Sequence, residues 1–217
     1  MKKYKTVFID LDGTLTDSRP GIVNSIRYGL TKMNLSVPDE DTLLKFIGPP
    51  LLESFATHCG LTGKIADEAL EAYREYFREK GMFENSVYEG IPEALEKLKN
   101  AGFRLAVATS KPEEFSVKII SHFDLDKYFE IVAGASMDET RNTKPEVIAY
   151  ALSRMGITDP KEVIMVGDRH HDAEGAAQNN IECIGVTYGY GSEEELLSAG
   201  VIALAKSPLH LADILLA

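Results

Sequence analysis

Apolar and polar positions follow two different rhythms along this chain. A short run, Val7-Phe8-Ile9, stops at Asp10-Leu11-Asp12-Gly13. It reads as a buried strand closed by a sharp turn that Gly13 permits. From 18 to 83 the apolar residues instead recur at helical spacing. Ile22, Val23, Ile26 and Leu30 mark a helix over 18–33 with Pro20 in its first turn. Asp39-Glu40-Asp41 opens a second helix carrying Leu43, Leu44, Phe46 and Ile47, and Gly48-Pro49-Pro50 breaks it. A third helix covers 51–58. A fourth covers 64–80, with Ala69, Tyr73, Tyr76 and Phe77 spaced to form a packed face. No strand pattern interrupts this region, which predicts a small helical bundle inserted behind the first strand.

From Val87 the rhythm becomes an alternation of helix and strand. Helices are expected over 93–100, 112–123, 145–155 and 173–179. Strands are expected over 104–108, 131–133, 163–166 and 183–186. Strands separated by helices in this way imply an α/β fold with a doubly wound parallel sheet of the Rossmann-like kind. The expected division is a core domain, 1–17 with 84–217, and a helical domain, 18–83.

Composition changes little in this picture. Of 217 residues 44% are hydrophobic and 26% charged, as in ordinary globular proteins. No apolar run approaches the ~20 residues of a membrane span, and the basic start Met1-Lys2-Lys3-Tyr4-Lys5 meets acids too soon for a signal peptide. Membrane partners are therefore not expected. The two cysteines, Cys59 and Cys183, suit buried thiols in a reducing cytoplasm rather than a disulfide framework. The net charge of −11 argues against nucleic acid as a partner and requires local cations or a metal to draw in an anionic substrate.

Chemistry-bearing residues gather at the ends of the expected strands. Asp10 and Asp12 follow the first, Thr109-Ser110-Lys111 the second, and Gly167-Asp168 with Asp172 a later one, while Lys144 precedes a helix. Parallel strands bring such ends to one edge, where ligands bind. The residue types fit one reaction. A carboxylate can attack phosphorus, and a second can donate and then accept a proton. A hydroxyl and an ammonium can hold phosphoryl oxygens, and further acids can hold Mg²⁺.

The order of these residues resembles the haloacid dehalogenase superfamily over essentially the whole chain. Asp10-Leu11-Asp12-Gly13-Thr14 matches its first motif, Thr109 its second, Lys144 its third, and Gly167-Asp168 through Asp172 its fourth. The helical insert looks like the cap of phosphoglycolate phosphatases. The resemblance implies Asp10 as nucleophile and Asp12 as general acid/base, with Thr109 and Lys144 completing the catalytic set. It implies Mg²⁺ held by the Asp10 carboxylate, the Asp12 backbone carbonyl and Asp168, with Asp172 supporting through water or Lys144. Substrate contacts are expected from Gly13, Thr14, Ser110, Lys111 and Arg141, and from Gly48 and Pro49 in the cap loop. His170 and His171 read as solvated or supporting residues.

The expected activity is a phosphomonoester hydrolase for small metabolites. Thr109-Ser110-Lys111 departs from the Thr-Asn-Lys frequent in phosphoglycolate phosphatases. The stretch Asp138-Glu139-Thr140-Arg141-Asn142-Thr143-Lys144, with Arg169-His170-His171 in the fourth motif, looks more like a bacterial 5'-nucleotidase-like branch, whereas the cap type points to phosphoglycolate. A phosphomutase shares the first motif and is separated by whether inorganic phosphate is released. A regulatory protein on a retired enzyme fold is the remaining alternative. Oligomeric state is not readable from the chain.

Overall fold

The computed structural model describes residues 3–138 and 140–217. Met1 and Lys2 of the basic start, and Glu139 of the loop before Lys144, lie outside the described residues. The chain forms two compact units, one comprising Val87–Ala217 with the chain up to Thr16, the other Asp17–Ser86.

In chain order the elements begin with β1 (Thr6–Ile9), β2 (Thr16–Asp17), α1 (Arg19–Lys32), α2 (Glu40–Leu44), α3 (Leu51–Cys59), α4 (Lys64–Glu79) and β3 (Ser86–Val87). They continue with α5 (Ile91–Asn100), β4 (Arg104–Pro112), α6 (Glu113–His122), β5 (Ile131–Ala135), α7 (Lys144–Arg154), β6 (Val163–Gly167) and α8 (His170–Gln178). The last four are β7 (Glu182–Val186), α9 (Glu193–Ser198), β8 (Ala203–Ala205) and α10 (Pro208–Leu216).

The first unit is built on a six-stranded sheet in the order β5-β4-β1-β6-β7-β8. Every neighbouring pair is parallel, so both faces need helical cover and the strands read as continuous apolar runs. The side chains of β1 alternate between the faces. Phe8 packs with Ala106, Met165, Val147 and Ile148 on one side, and Val7 and Ile9 on the other side are equally sealed from solvent. The order reverses direction about β1, which lies between β4 and β6. Its carboxyl end, where Asp10 and Asp12 follow, is therefore the topological switch point at which open α/β sheets bind ligands.

The second unit is helical. Gly29 lets α1 approach α4 closely, since a Cβ there would stand 2.9 Å from the backbone nitrogen of Tyr73. Phe46 meets Phe55 edge-on at 5.4 Å, and Tyr73, Phe77 and Leu43 are buried. Tyr76, grouped with Tyr73 and Phe77 in the sequence, is only half-buried and donates its hydroxyl to Glu84 at 2.9 Å. Asp39 caps α2 by accepting the Thr42 N–H at 2.9 Å. Cys183 is buried as expected, while Cys59 is half-buried at the end of α3, and neither forms a disulfide.

Three differences from the sequence reading bear on function. The strand β4 runs on through Thr109 and Lys111 to Pro112, so those residues lie on a strand rather than after one. The helix α8 begins at His170, three residues early, because the Asp172 carboxylate accepts the Arg169 N–H at 3.1 Å and closes the first turn. The sixth strand β8 went unread because Ala-Leu-Ala carries no β-branched signal. Among the described residues no helix is long and apolar enough to cross a membrane.

Truncating the central strand tests this packing. Phe8→Ala is expected to lower unfolding free energy by about 3–5 kcal/mol in urea titrations, the range for fully buried aromatics. A loss under about 1 kcal/mol would mean that Phe8 is not at the centre of the core.

Candidate active site

All residues of the site described here belong to the sheet-containing unit. Behind β1 the chain turns tightly: Gly13 donates its N–H to the Thr16 carbonyl at 2.8 Å and takes φ +82°. Glycine is required twice over, since a Cβ at this position would also lie 2.2 Å from Asp168 Oδ2. The turn leaves Asp10 at the strand end, its N–H bonded to the Val166 carbonyl of β6 at 2.9 Å.

Lys144 sits at the first position of α7, in a turn closed by the Glu146 carboxylate, which accepts the N–H groups of Asn142 and Thr143 at 3.0 Å each. The residue is 7% exposed, and its ammonium reaches Asp10 Oδ1 and Asp172 Oδ1, both at 2.7 Å, and the Ala108 carbonyl at 3.2 Å. Room for its stem comes from Gly175 of α8, where a Cβ would stand 2.7 Å from Lys144 Cγ. Asp168 is fully buried at the end of β6. It accepts the Tyr190 N–H at 2.7 Å and the Thr14 hydroxyl at 3.3 Å.

Asp10, Asp168 and Asp172 each place a carboxylate oxygen within 4.8 Å of the others. One buried ammonium faces three buried carboxylates, and the imbalance shows in their acidities. Burial pushes the Asp10 carboxyl up to about 6; Lys144 pulls it down, and Asp172 raises it. Burial, then the charges of Asp172 and Asp10, hold Asp168 well above the usual carboxylate range. Burial alone would lower the Lys144 ammonium, but Asp10 and Asp172 outweigh it and the net shift is upward. An all-oxygen, anion-rich, buried cluster of this kind fits a hard divalent cation such as Mg²⁺.

Asp12 is held differently. Lys111, itself 8% exposed, donates to both of its carboxylate oxygens at 2.7 and 2.9 Å. Thr109 is buried beside it and accepts the Lys111 N–H at 3.3 Å, while Ser110 is half-exposed between them. Arg141 is engaged away from these acids. Its Nε donates to the Gly134 carbonyl at 2.9 Å, it lies 3.6 Å from Glu113, and its guanidinium stacks 3.7 Å from the Tyr150 ring centre. Arg169 pairs with Glu195 at 2.9 Å. Gly48, at φ +107°, and Pro49 belong to the helical unit, in the bend between α2 and α3.

Sequence reasoning missed the loop Thr187–Gly191 after β7. Its glycines pack flat over the site, for a Cβ on Gly189 would lie 2.4 Å from Asp168 Cβ and one on Gly191 2.0 Å from the Asp168 carbonyl. Tyr188 donates its hydroxyl to the Thr14 carbonyl at 3.2 Å, and its ring meets Tyr88 edge-on. The alternating Tyr-Gly-Tyr-Gly after a strand was the available signal.

The charge imbalance has a measurable consequence in protein stripped of divalent ions. A carboxyl whose folded pKa lies above its unfolded value contributes stability that is complete below the unfolded pKa and lost as pH rises through the folded one. For Asp10 that window lies between the model-peptide value 3.8 and about 6, a cost of roughly 3 kcal/mol above it. Asp10→Asn should therefore melt higher than the parent protein at pH 7.5 without divalent ions, the difference closing below pH ~4. Equal or lower melting at pH 7.5 would refute the unfavourable cluster.

The sequence profile of the haloacid dehalogenase-like hydrolases matches residues 7–186. A 5'-nucleotidase of Pseudomonas aeruginosa is 45% identical over 194 residues, covering 89% of this chain and 87% of that protein. The tyrosine-protein kinase PtkA of Mycobacterium tuberculosis is 44% identical over 185 residues, 85% of this chain, and the chain spans 62% of its length. The crystal structure of a predicted phosphatase from Clostridium acetobutylicum superposes with a TM-score of 0.93 at 47% identity, covering 98% of each chain. The profile match runs from β1 through β7 and takes in the buried acids and Lys144. The chain belongs to the haloacid dehalogenase-like hydrolase family.

Proposed function

We propose that this hydrolase cleaves phosphate monoesters of small metabolites through an aspartyl phosphate on Asp10, with nucleoside monophosphates as the favoured substrates. The reading rests above all on Lys144, whose ammonium joins Asp10 and Asp172 at 2.7 Å beside Asp168 in one buried oxygen cluster. The relative named 5'-nucleotidase supports the choice of nucleotide over phosphoglycolate.

In the first step an Asp10 carboxylate oxygen attacks phosphorus, and the bond from phosphorus to the leaving oxygen breaks. Asp12, protonated when substrate is bound, gives that oxygen its proton and is left as the carboxylate that Lys111 pairs. In the second step Asp12 takes a proton from water, the water oxygen bonds to phosphorus, and the phosphorus bond to Asp10 breaks, releasing inorganic phosphate. Lys144 keeps Asp10 oriented and offers its ammonium to the phosphoryl oxygens, with the Thr109 and Ser110 hydroxyls and the turn at Gly13 and Thr14 beside it. Lys111 positions Asp12 and offers a second positive charge to an anionic substrate. Arg141, tied to Glu113, Gly134 and Tyr150, is assigned to holding the loop before Lys144 rather than to touching substrate. Mg²⁺ would be held by the Asp10 carboxylate, the Asp12 carbonyl and Asp168, with Asp172 acting through Lys144, and it would neutralise phosphoryl charge.

The 44% identity to a tyrosine-protein kinase favours one second reading, in which the phosphoryl group passes to a protein hydroxyl instead of water. Phosphate release from a panel of nucleoside monophosphates, phosphoglycolate and sugar phosphates with Mg²⁺ separates the two. Release from nucleotides is expected, abolished in Asp10→Asn, reduced ~10²–10⁴-fold in Asp12→Asn, and reversibly lost on chelation. Turnover of sugar phosphates alone would overturn the substrate choice. Robust release by Asp10→Asn, or after exhaustive chelation, would overturn the mechanism.

A further inference from the structure

The early start of α8 has a second effect besides fixing Asp172. It places His170, His171 and Glu174 at the start of a helix, with Glu174 one turn on from the two histidines, and not in a loop. Each offers a ligand atom, and these lie within 4.8 Å of one another. The two imidazole rings stand 3.7 Å apart, centre to centre. Both histidines are half-buried and Glu174 is exposed, so the group has a firm base and an open side.

A further carboxylate stands behind the group. Glu195 of α9 lies 2.7 Å from His170 Nδ1. A carboxylate accepts, so Nδ1 donates and Nε2 keeps the lone pair needed for a ligand. Glu195 is itself fixed by Arg169 Nε and by the His170 N–H, each at 2.9 Å, and its own N–H is capped by the Ser192 hydroxyl at 3.1 Å. A carboxylate holding the far ring nitrogen is the usual outer support of a metal-bound histidine, setting its tautomer and raising its basicity.

We propose that His170, His171 and Glu174 form a binding site for an imidazole-preferring divalent transition ion such as Zn²⁺, distinct from the all-oxygen cluster. Two nitrogens and one carboxylate oxygen are the donor set of open, three-protein-ligand zinc sites. The same set is poor for Mg²⁺, which takes oxygen and keeps its waters. The two clusters therefore select different ions. An ion here would also brace the turn in which Arg169 donates to Asp172.

The test is calorimetric titration of the full chain with Zn²⁺ in excess Mg²⁺, together with the visible spectrum of bound Co²⁺. One ion per chain is expected in the parent protein and also in Asp168→Asn, which changes the oxygen cluster and none of the three proposed ligands. His171→Ala and Glu174→Gln should each weaken binding at least about tenfold and remove the Co²⁺ bands. Glu174 is exposed, so that variant keeps the test valid should His171→Ala disturb folding. Unchanged binding in Glu174→Gln, loss of binding in Asp168→Asn, or no binding in the parent would each overturn the proposal.

Discussion

Three buried carboxylates crowd together around a single ammonium that pairs with two of them, and most of the local architecture follows from keeping that arrangement together. Lys144 makes two 2.7 Å ion pairs from a position almost closed to solvent. A buried ion pair gains little net stability, yet losing Lys144 would leave the buried acids without a counter-charge and is strongly destabilising. The protein therefore surrounds the cluster with backbone that can come close. Gly13 and Gly189 crowd Asp168, Gly167 clears Asp172, and Gly175 admits the lysine stem. Each is a place where a single methyl group would displace a charged side chain.

The sheet supplies what the cluster lacks. A parallel sheet buried on both faces fixes the ends of β1, β4 and β6 by apolar packing that is indifferent to the charges at its edge. Rigid strands can then hold acids whose mutual repulsion Lys144 relieves only in part. Asp12 stands apart from this economy, since Lys111 neutralises it through two hydrogen bonds. That separation suits two carboxylates with different proposed tasks, attack for Asp10 and proton transfer for Asp12.

Much of this could be read from the chain because local signals and tertiary demands agree. The apolar run before Asp10 has nowhere to go but a buried strand, and the acids after it fall at the edge by the geometry of parallel sheets. Lys144 was legible as a candidate because it precedes a helix opened by Pro145, although its link to Asp172 was settled only by three dimensions. What the chain concealed has physical causes. The loop Thr187–Gly191 contributes backbone and glycine space rather than charge, so residue chemistry does not announce it. Arg141 looked poised for substrate, but its partners Glu113, Gly134 and Tyr150 lie on elements whose proximity no sequence spacing reveals. The first turn of α8 was hidden because its closing interaction is a side chain reaching back to the Arg169 N–H.

Asp10 is proposed to take the phosphoryl group onto its own carboxylate. Rapid acid quenching during turnover of a nucleoside monophosphate, followed by mass spectrometry of the peptide spanning 6–18, tests it most directly. The account predicts a phosphoryl group on Asp10 that accumulates in Asp12→Asn, where release to water is slowed. Turnover with phosphate release but no adduct on that peptide in either protein would contradict it and point to direct attack by water.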